Sequence, residues 1–135
     1  MLDINLIRSQ PEVVSQKLSK KGFSIDFSEF LELDKKRRQL IRQTEQLKAE
    51  KNKTSALIPE MKKRGEDIAS VLNEMKTINE AIKRGDDELA ALDLEQNQFL
   101  AALPNLPADD VVAGGKEHNQ VIRVSGDKPV FDFAP

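Results

Sequence analysis

The sequence predicts an all-α fold: a long antiparallel two-helix coiled-coil hairpin with a small N-terminal helical cap and a short extended or β C-terminal tail. Three observations lead there. Apolar residues recur at alternating spacings of three and four through two long stretches, the spacing of a coiled-coil seam. The chain of 135 residues is 39% apolar and 33% charged, a balance that suits long solvated helices better than a compact core. Gly65 lies between the two stretches, and Pro104, Pro107, Gly114 and Gly115 exclude a helix beyond the second.

The cap occupies residues 1–25. Ser9 and Glu12 have the spacing of a capping box, with Pro11 tolerated in the first turn. Val13, Val14 and Leu18 form an apolar stripe, and Gly22 is placed to end the helix in the left-handed conformation. Leu2, Ile4, Leu6 and Ile7 are expected to fold back onto it.

The first long helix is expected over about 27–62, started by Asp26 with Glu29 three residues on. Its seam runs Phe30, Leu33, Leu40, Thr44, Leu47, Thr54 and Ile58, with Arg37 and Lys51 at the two remaining positions. Pro59 either kinks this helix or starts a short separate turn. The second helix is expected over about 66–103. Its seam is stronger: Ile68, Val71, Met75, Ile78, Ile82, Gly85, Leu89, Leu92, Gln96, Phe99 and Leu103, in which only Gly85 and Gln96 are not apolar. Run antiparallel, the seams pair Phe30 with Phe99, Leu40 with Leu89 and Leu47 with Ile82, each pair totalling 129, so the tip falls near Arg64 and Gly65. Helices of roughly 35 residues make an arm about 50 Å long. Neither is stable alone in water; the shared seam holds both. In the tail, Val121, Ile122 and Val124, then Val130, Phe131 and Phe133, read as short strands around a Gly-Asp-Lys-Pro turn. Residues 104–135 are therefore expected to be a linker and the first strands of a second domain.

Charge is divided between the helices. Residues 34–53 carry Lys35, Lys36, Arg37, Arg38, Arg42, Lys48, Lys51 and Lys53 against Asp34, Glu45 and Glu50, a net +5. Residues 66–97 hold nine acids against Lys76, Lys83 and Arg84, a net −6. Pairing across the hairpin explains part of this, since flanking charges set coiled-coil register. It does not explain Lys35 and Arg42, which fall opposite the seam, or Lys62, Lys63 and Arg64 at the tip. Those residues form a candidate polyanion surface. Between Phe30 and Phe99 there is no aromatic side chain for stacking on bases. The surface therefore suits the phosphates and shape of an RNA duplex.

Catalytic chemistry is missing. Cysteine is absent and His118 is the one histidine, in the polar loop GGKEHNQ, which rules out an ordinary zinc site. No phosphate-binding loop, dinucleotide fingerprint or nucleophile elbow occurs. No apolar run approaches a membrane span, and the opening MLDINLIRSQ is not a signal peptide.

These parts, taken in order, are similar to bacterial seryl-tRNA synthetases. The resemblance covers essentially the whole chain: LDINLIRSQPEVV with KLSKKG, the basic helix with Glu45, Leu47, Glu50, Lys51, Asn52 and Ser55, the tip KKRGEDI, and LPNLP followed by the spaced Gly-rich tail. The pattern departs from the family at Val112, where proline is common, and at Pro59. The resemblance implies an arm projecting from a class II catalytic domain that follows position 135. The full-length enzyme would use ATP and Mg²⁺ to attach serine to tRNA; no cofactor, metal or catalytic residue is expected in the arm. It would be a cytoplasmic homodimer through that catalytic domain, with no membrane or DNA partner. The arm would grip the long variable arm and elbow of serine and selenocysteine tRNA. Carried over by position, the candidate tRNA-binding residues are Arg38, Arg42, Lys48, Lys51, Asn52, Lys53, Ser55, Lys62, Lys63 and Arg64, with Lys35 added from its outward position. The alternative is a coiled-coil protein–protein arm or a prefoldin-like clamp, which would need exposed apolar residues near the tip, where Leu57, Ile58 and Met61 are available.

Overall fold

A computed structural model describes residues 2–127 and Asp132. Two short helices, α1 (Ile4–Ser9) and α2 (Pro11–Ser19), precede two long ones, α3 (Ser28–Lys63) and α4 (Ala69–Ala101). A 3₁₀ turn, Lys116–His118, follows in the tail. α3 and α4 pack along their length as the expected antiparallel hairpin.

Local chemistry explains each boundary. Asp3 caps α1 by accepting from the Asn5 N–H at 2.8 Å. Pro11 occupies the first turn of α2, where its missing N–H costs nothing. α2 closes with the backbone N–H of Phe23 on the Leu18 carbonyl and that of Gly22 on Ser19, with Gly22 at φ +80°. The tip repeats this closure. Glu66 N–H bonds the Met61 carbonyl, Gly65 N–H bonds that of Lys62, and Gly65 takes φ +71°. Asp67 then accepts from Ala69 N–H at 2.8 Å and starts α4. The hairpin turns at Gly65 because that residue enters the left-handed region without a Cβ clash.

Both expected capping boxes are displaced. The residue before α2 is Gln10, without a side-chain cap, and the Ser9 hydroxyl turns back to donate to the Asn5 carbonyl at 2.8 Å. The segment expected only to fold back is itself helical, and it claims Ser9 as its last residue. At α3 the residue before the helix is Phe27, not Asp26. Asp26 instead accepts from the N–H and hydroxyl of Ser28, at 2.9 and 2.7 Å, which tightens the entry and sends Phe27 into the core. Pro59 neither ends α3 nor starts a separate turn. The helix continues through it to Lys63, with the proline on the exposed side.

The core lies at the base of the hairpin. Leu2, Ile7, Val14 and Leu18 of the cap are buried against Phe27, Phe30 and Leu100. Phe30 stacks on Phe99 at 5.0 Å between ring centroids, and Phe27 meets both rings edge-on at 6.3 and 6.1 Å. Burial of aromatic and aliphatic side chains here anchors the long arm at one end. Leu103 and Leu106 of the LPNLP segment pack on the same core, and Pro107 is buried. Lys17 pairs with Asp109 at 2.6 Å and Lys21 donates to the Asn105 carbonyl at 2.7 Å, so the chain leaves α4 along the cap. Among the described residues there is no strand. Val121, Ile122 and Val124 are exposed with no ladder partner, in contrast to the expected strand. Val130, Phe131 and Phe133 lie outside the described residues.

Candidate nucleic-acid interface

The seam expected from spacing is the seam observed: every position from Phe30 to Ile58 and from Ile68 to Leu103 is buried or half-buried. Two contacts confirm the register. Phe30 meets Phe99, and a Cβ on Gly85 would lie 2.6 Å from Thr44 Oγ1. Both pairs total 129. Gly85 thus interrupts the apolar seam because the helices approach closely at Thr44.

Gln96, the other interruption, belongs to a polar cluster that sequence reading missed. Asp34 is fully buried, although it counts as a surface acid in the sequence. Its carboxylate accepts from Arg8 Nη2 at 2.6 Å and Nε at 2.8 Å, from Arg38 Nε at 2.9 Å and from Gln96 Nε2 at 3.2 Å. The Arg8 hydrogen bonds hold the Asp34 carboxyl below the usual carboxylate range against the opposing effect of burial. One carboxylate therefore ties the cap to both hairpin helices and sets the arm's direction relative to its base. The polar break at Gln96 was the available signal, since a polar seam residue requires a partner.

Two ion pairs fix which side of each helix faces which way. Lys48 and Asp86 each follow a seam residue, Leu47 and Gly85, and pair at 3.1 Å. Lys36 and Glu88 each precede one, Arg37 and Leu89, and pair at 2.9 Å on the opposite edge. Arg37 also reaches Asp93. Relative to these edges, the helical period places Arg38, Lys48, Asn52, Ser55 and Lys62 on the flank of α3 toward the Lys48 edge. Lys35, Arg42 and Lys63 lie on the back of α3, away from α4, and Lys53 lies beyond them toward the Lys36 edge. Lys51 is half-buried in the seam.

Not all of these cations are free. Arg38 is bound to Asp34, Lys35 to Glu32 at 3.9 Å, and Arg64 to Glu66 and Glu60 at 3.4 and 3.8 Å. Lys48 also reaches Glu45 at 3.6 Å, and its hydrogen bond to Asp86 raises its pKa. Among the described residues, Arg42, Lys51, Lys53, Lys62 and Lys63 make no ion pair. Cross-hairpin pairing accounts for Lys36, Arg37 and Lys48 and leaves a basic remainder on the outer face and at the tip.

Nothing nearby is arranged for catalysis. His118 is exposed, with Nδ1 3.0 Å from Glu117 Oε1. Among the described residues no cluster of histidine and carboxylate side chains is arranged to hold a metal ion. A groove of about 460 Å³ beside the cap is lined by Pro11, Glu12, Ser15, Asp26, Ser28 and apolar neighbours; its one hydroxyl–carboxylate contact, Ser28 to Asp26 at 2.7 Å, belongs to the turn that opens α3 and has no histidine or lysine beside it. Leu57 and Leu72 are half-exposed near the tip, but the period puts them on opposite edges, so they form no continuous apolar jaw. No helix among the described residues is long and apolar enough to cross a membrane.

Residues 1–107 match the family described as seryl-tRNA synthetase N-terminal domain. The chain belongs to this family. As a seryl-tRNA synthetase N-terminal domain it is 42% identical over 136 aligned residues to serine–tRNA ligase 2 of Clostridium acetobutylicum, covering 100% of this chain and 32% of that protein. It is 38% identical to the serine–tRNA ligase of Oleidesulfovibrio alaskensis, with the same coverage. The fold matches the crystal structure of seryl-tRNA synthetase from Pyrococcus horikoshii complexed with ATP, at a TM-score of 0.74 and 31% identity, over 84% of this chain and 26% of that one. The chain spans about a third of the length of the curated relatives it matches. Similarity to these ligases extends past the family's own boundary, through the tail that follows LPNLP.

Proposed function

We propose that this domain is the tRNA-binding arm of a serine–tRNA ligase. It grips the long variable arm and elbow of serine tRNA, and of selenocysteine tRNA, through shape and phosphate contacts. A class II catalytic domain following it in the full-length protein attaches serine with ATP and Mg²⁺, in a cytoplasmic enzyme that dimerises through that domain. The observation that carries the reading is the set of unpaired cations on an aromatic-free helical arm of this family, at Arg42, Lys53, Lys62 and Lys63. Lys35, Arg38, Lys48, Lys51, Asn52, Ser55 and Arg64 complete the proposed contact set. A duplex of distinctive length can be selected by such a surface without reading its bases.

The test is a titration of the chain with serine tRNA and with an elongator tRNA that has a short variable arm, over a salt series. Preferential, steeply salt-dependent binding to serine tRNA is expected. Equal binding to both, or none, overturns the reading. Serine-dependent exchange of pyrophosphate into ATP by the arm alone would contradict the division of labour between the domains.

A further inference from the structure

We propose that the RNA lies along one particular edge of the hairpin, the Lys48 edge, and that Lys76 and Lys83 of the acidic helix α4 are phosphate contacts. The inference rests on the tRNA-binding reading above and adds to it a side and two residues.

The two edges differ in charge. Lys48 and Asp86 mark one edge by their mutual bond, and Lys36 and Glu88 mark the other. Residues that directly follow the seam, and those next to them around each helix, belong to the Lys48 edge. In the outer half of the arm, over residues 45–63 and 69–88, the ionisable groups on that edge are Lys48, Lys62, Lys76 and Lys83 against Glu45, Asp86 and, toward the back of α4, Glu80. Glu45 and Asp86 are already bound to Lys48. Lys62, Lys76 and Lys83 make no ion pair among the described residues. The opposite edge of the same stretch carries Glu50, Glu60, Glu74 and Glu88 against Lys53 and Arg84, with Glu60 bound to Arg64 and Glu88 to Lys36. The arm therefore has one edge with unpaired cations on both helices and one whose charges balance, although counting by helix gives a basic α3 and an acidic α4.

The basic edge also has a suitable shape. Leu72, Lys76, Asn79 and Lys83 follow one another at spacings of four, three and four and form a stripe along α4. With Met75 and Glu80 they line a shallow trough of about 430 Å³. Lys76 and Lys83 stand about 10 Å apart along the helix, at 1.5 Å per residue. Asn79 between them supplies neutral donors and an acceptor for sugar hydroxyls. Asn52 and Ser55, both exposed, stand on the facing flank of α3. A polyanionic duplex placed here meets unpaired ammonium groups from both helices. On the other edge it would meet the carboxylates of Glu50 and Glu74 beside Lys53 and Arg84, with no net electrostatic gain.

Residues 83 and 84 give a direct test, because adjacent exposed cations fall on opposite edges. The full 135-residue chain is titrated with serine tRNA over a salt series as wild type, Lys83→Gln, Arg84→Gln and Lys76→Gln/Lys83→Gln. All four should show the same helical circular dichroism and melting temperature. Lys83→Gln should lower the slope of log K against log salt by about 1 and the double variant by about 2, with Arg84→Gln near wild type. If Arg84→Gln weakens binding as much as Lys83→Gln, or if the double variant binds like wild type, the edge assignment is wrong while the tRNA-binding reading stands. If wild type itself fails to prefer serine tRNA, the functional reading falls and this inference with it.

Discussion

Thr44 and Gly85 are paired by exclusion: Thr44 Oγ1 stands 2.6 Å from where a Cβ on residue 85 would be. Thr44 is buried, and its β-branched side chain is confined to two χ1 rotamers inside a helix. Gly85→Ala therefore sets two effects against each other. Alanine gains about 1 kcal/mol of helix propensity. The clash costs about 1–3 kcal/mol, as overpacking does in a tight seam. A net loss of about 1 kcal/mol is expected. Thr44→Ala combined with Gly85→Ala should recover it. Thermal denaturation of the four members of the cycle measures the coupling. A single Gly85→Ala variant more stable than wild type would show that the seam yields at this point.

The Arg8–Asp34 bond predicts an asymmetry with pH. Asp34→Asn should cost about 2–3 kcal/mol near neutral pH, less than the full penalty for breaking a buried pair because Arg8 keeps access to water. The Asp34 carboxyl is held low in the folded state, so its contribution is present above an unfolded pKa of about 3.9. It is lost as pH falls below about 4 through the lower folded value. Melting temperatures of wild type and Asp34→Asn should therefore converge on acidification below pH of about 4. A gap of equal size at pH of about 3 and 7 would mean that shape, not charge, is what Asp34 supplies.

Leu89 and Leu94 separate the seam from the outer face. Leu89 is half-buried at a seam position and Leu94 is 59% exposed. Leu89→Asp should destabilise the hairpin by about 3 kcal/mol, through an unpaired charge against the opposing helix. Leu94→Asp should change stability by less than about 0.5 kcal/mol. Equal melting temperatures for the two variants would contradict the seam.

Charge reversal at Arg42 together with Lys53 should weaken binding to serine tRNA and flatten the salt dependence while the circular dichroism spectrum stays unchanged. Both side chains are exposed and neither makes an ion pair among the described residues. The single variants should not be equal. Arg42 lies on the back of α3 and Lys53 beyond it toward the Lys36 edge, farther from Lys48, so Arg42→Glu should account for the larger share of the loss. Shortening the variable stem of the tRNA should matter far more than exchanging base pairs within it. An unchanged salt slope in the double variant would remove the outer face of α3 from the interface.

Heptad spacing together with the turn at Gly65 determined the antiparallel hairpin, its register and its tip: the spacing says which faces meet, and a short turn within one chain obliges the two helices to run in opposite directions. Seam residues are neighbours along their own helix, so their periodicity survives in the linear order. The role of Asp34 was decided only by tertiary structure. Its principal partner, Arg8, lies 26 residues away on a helix whose docking no local pattern records. The helix starts moved for the same kind of reason: Ser9 and Asp26 each had a competing backbone partner once α1 formed and Phe27 entered the core. The tail illustrates the converse, since Val121, Ile122 and Val124 have strand-like composition but no neighbouring strand among the described residues to bond. The charge of each edge also had to await the fold. Net charge is a property of a segment, whereas the potential met by RNA depends on which flanks two helices share, and the rotation set by Lys48–Asp86 and Lys36–Glu88 decides that.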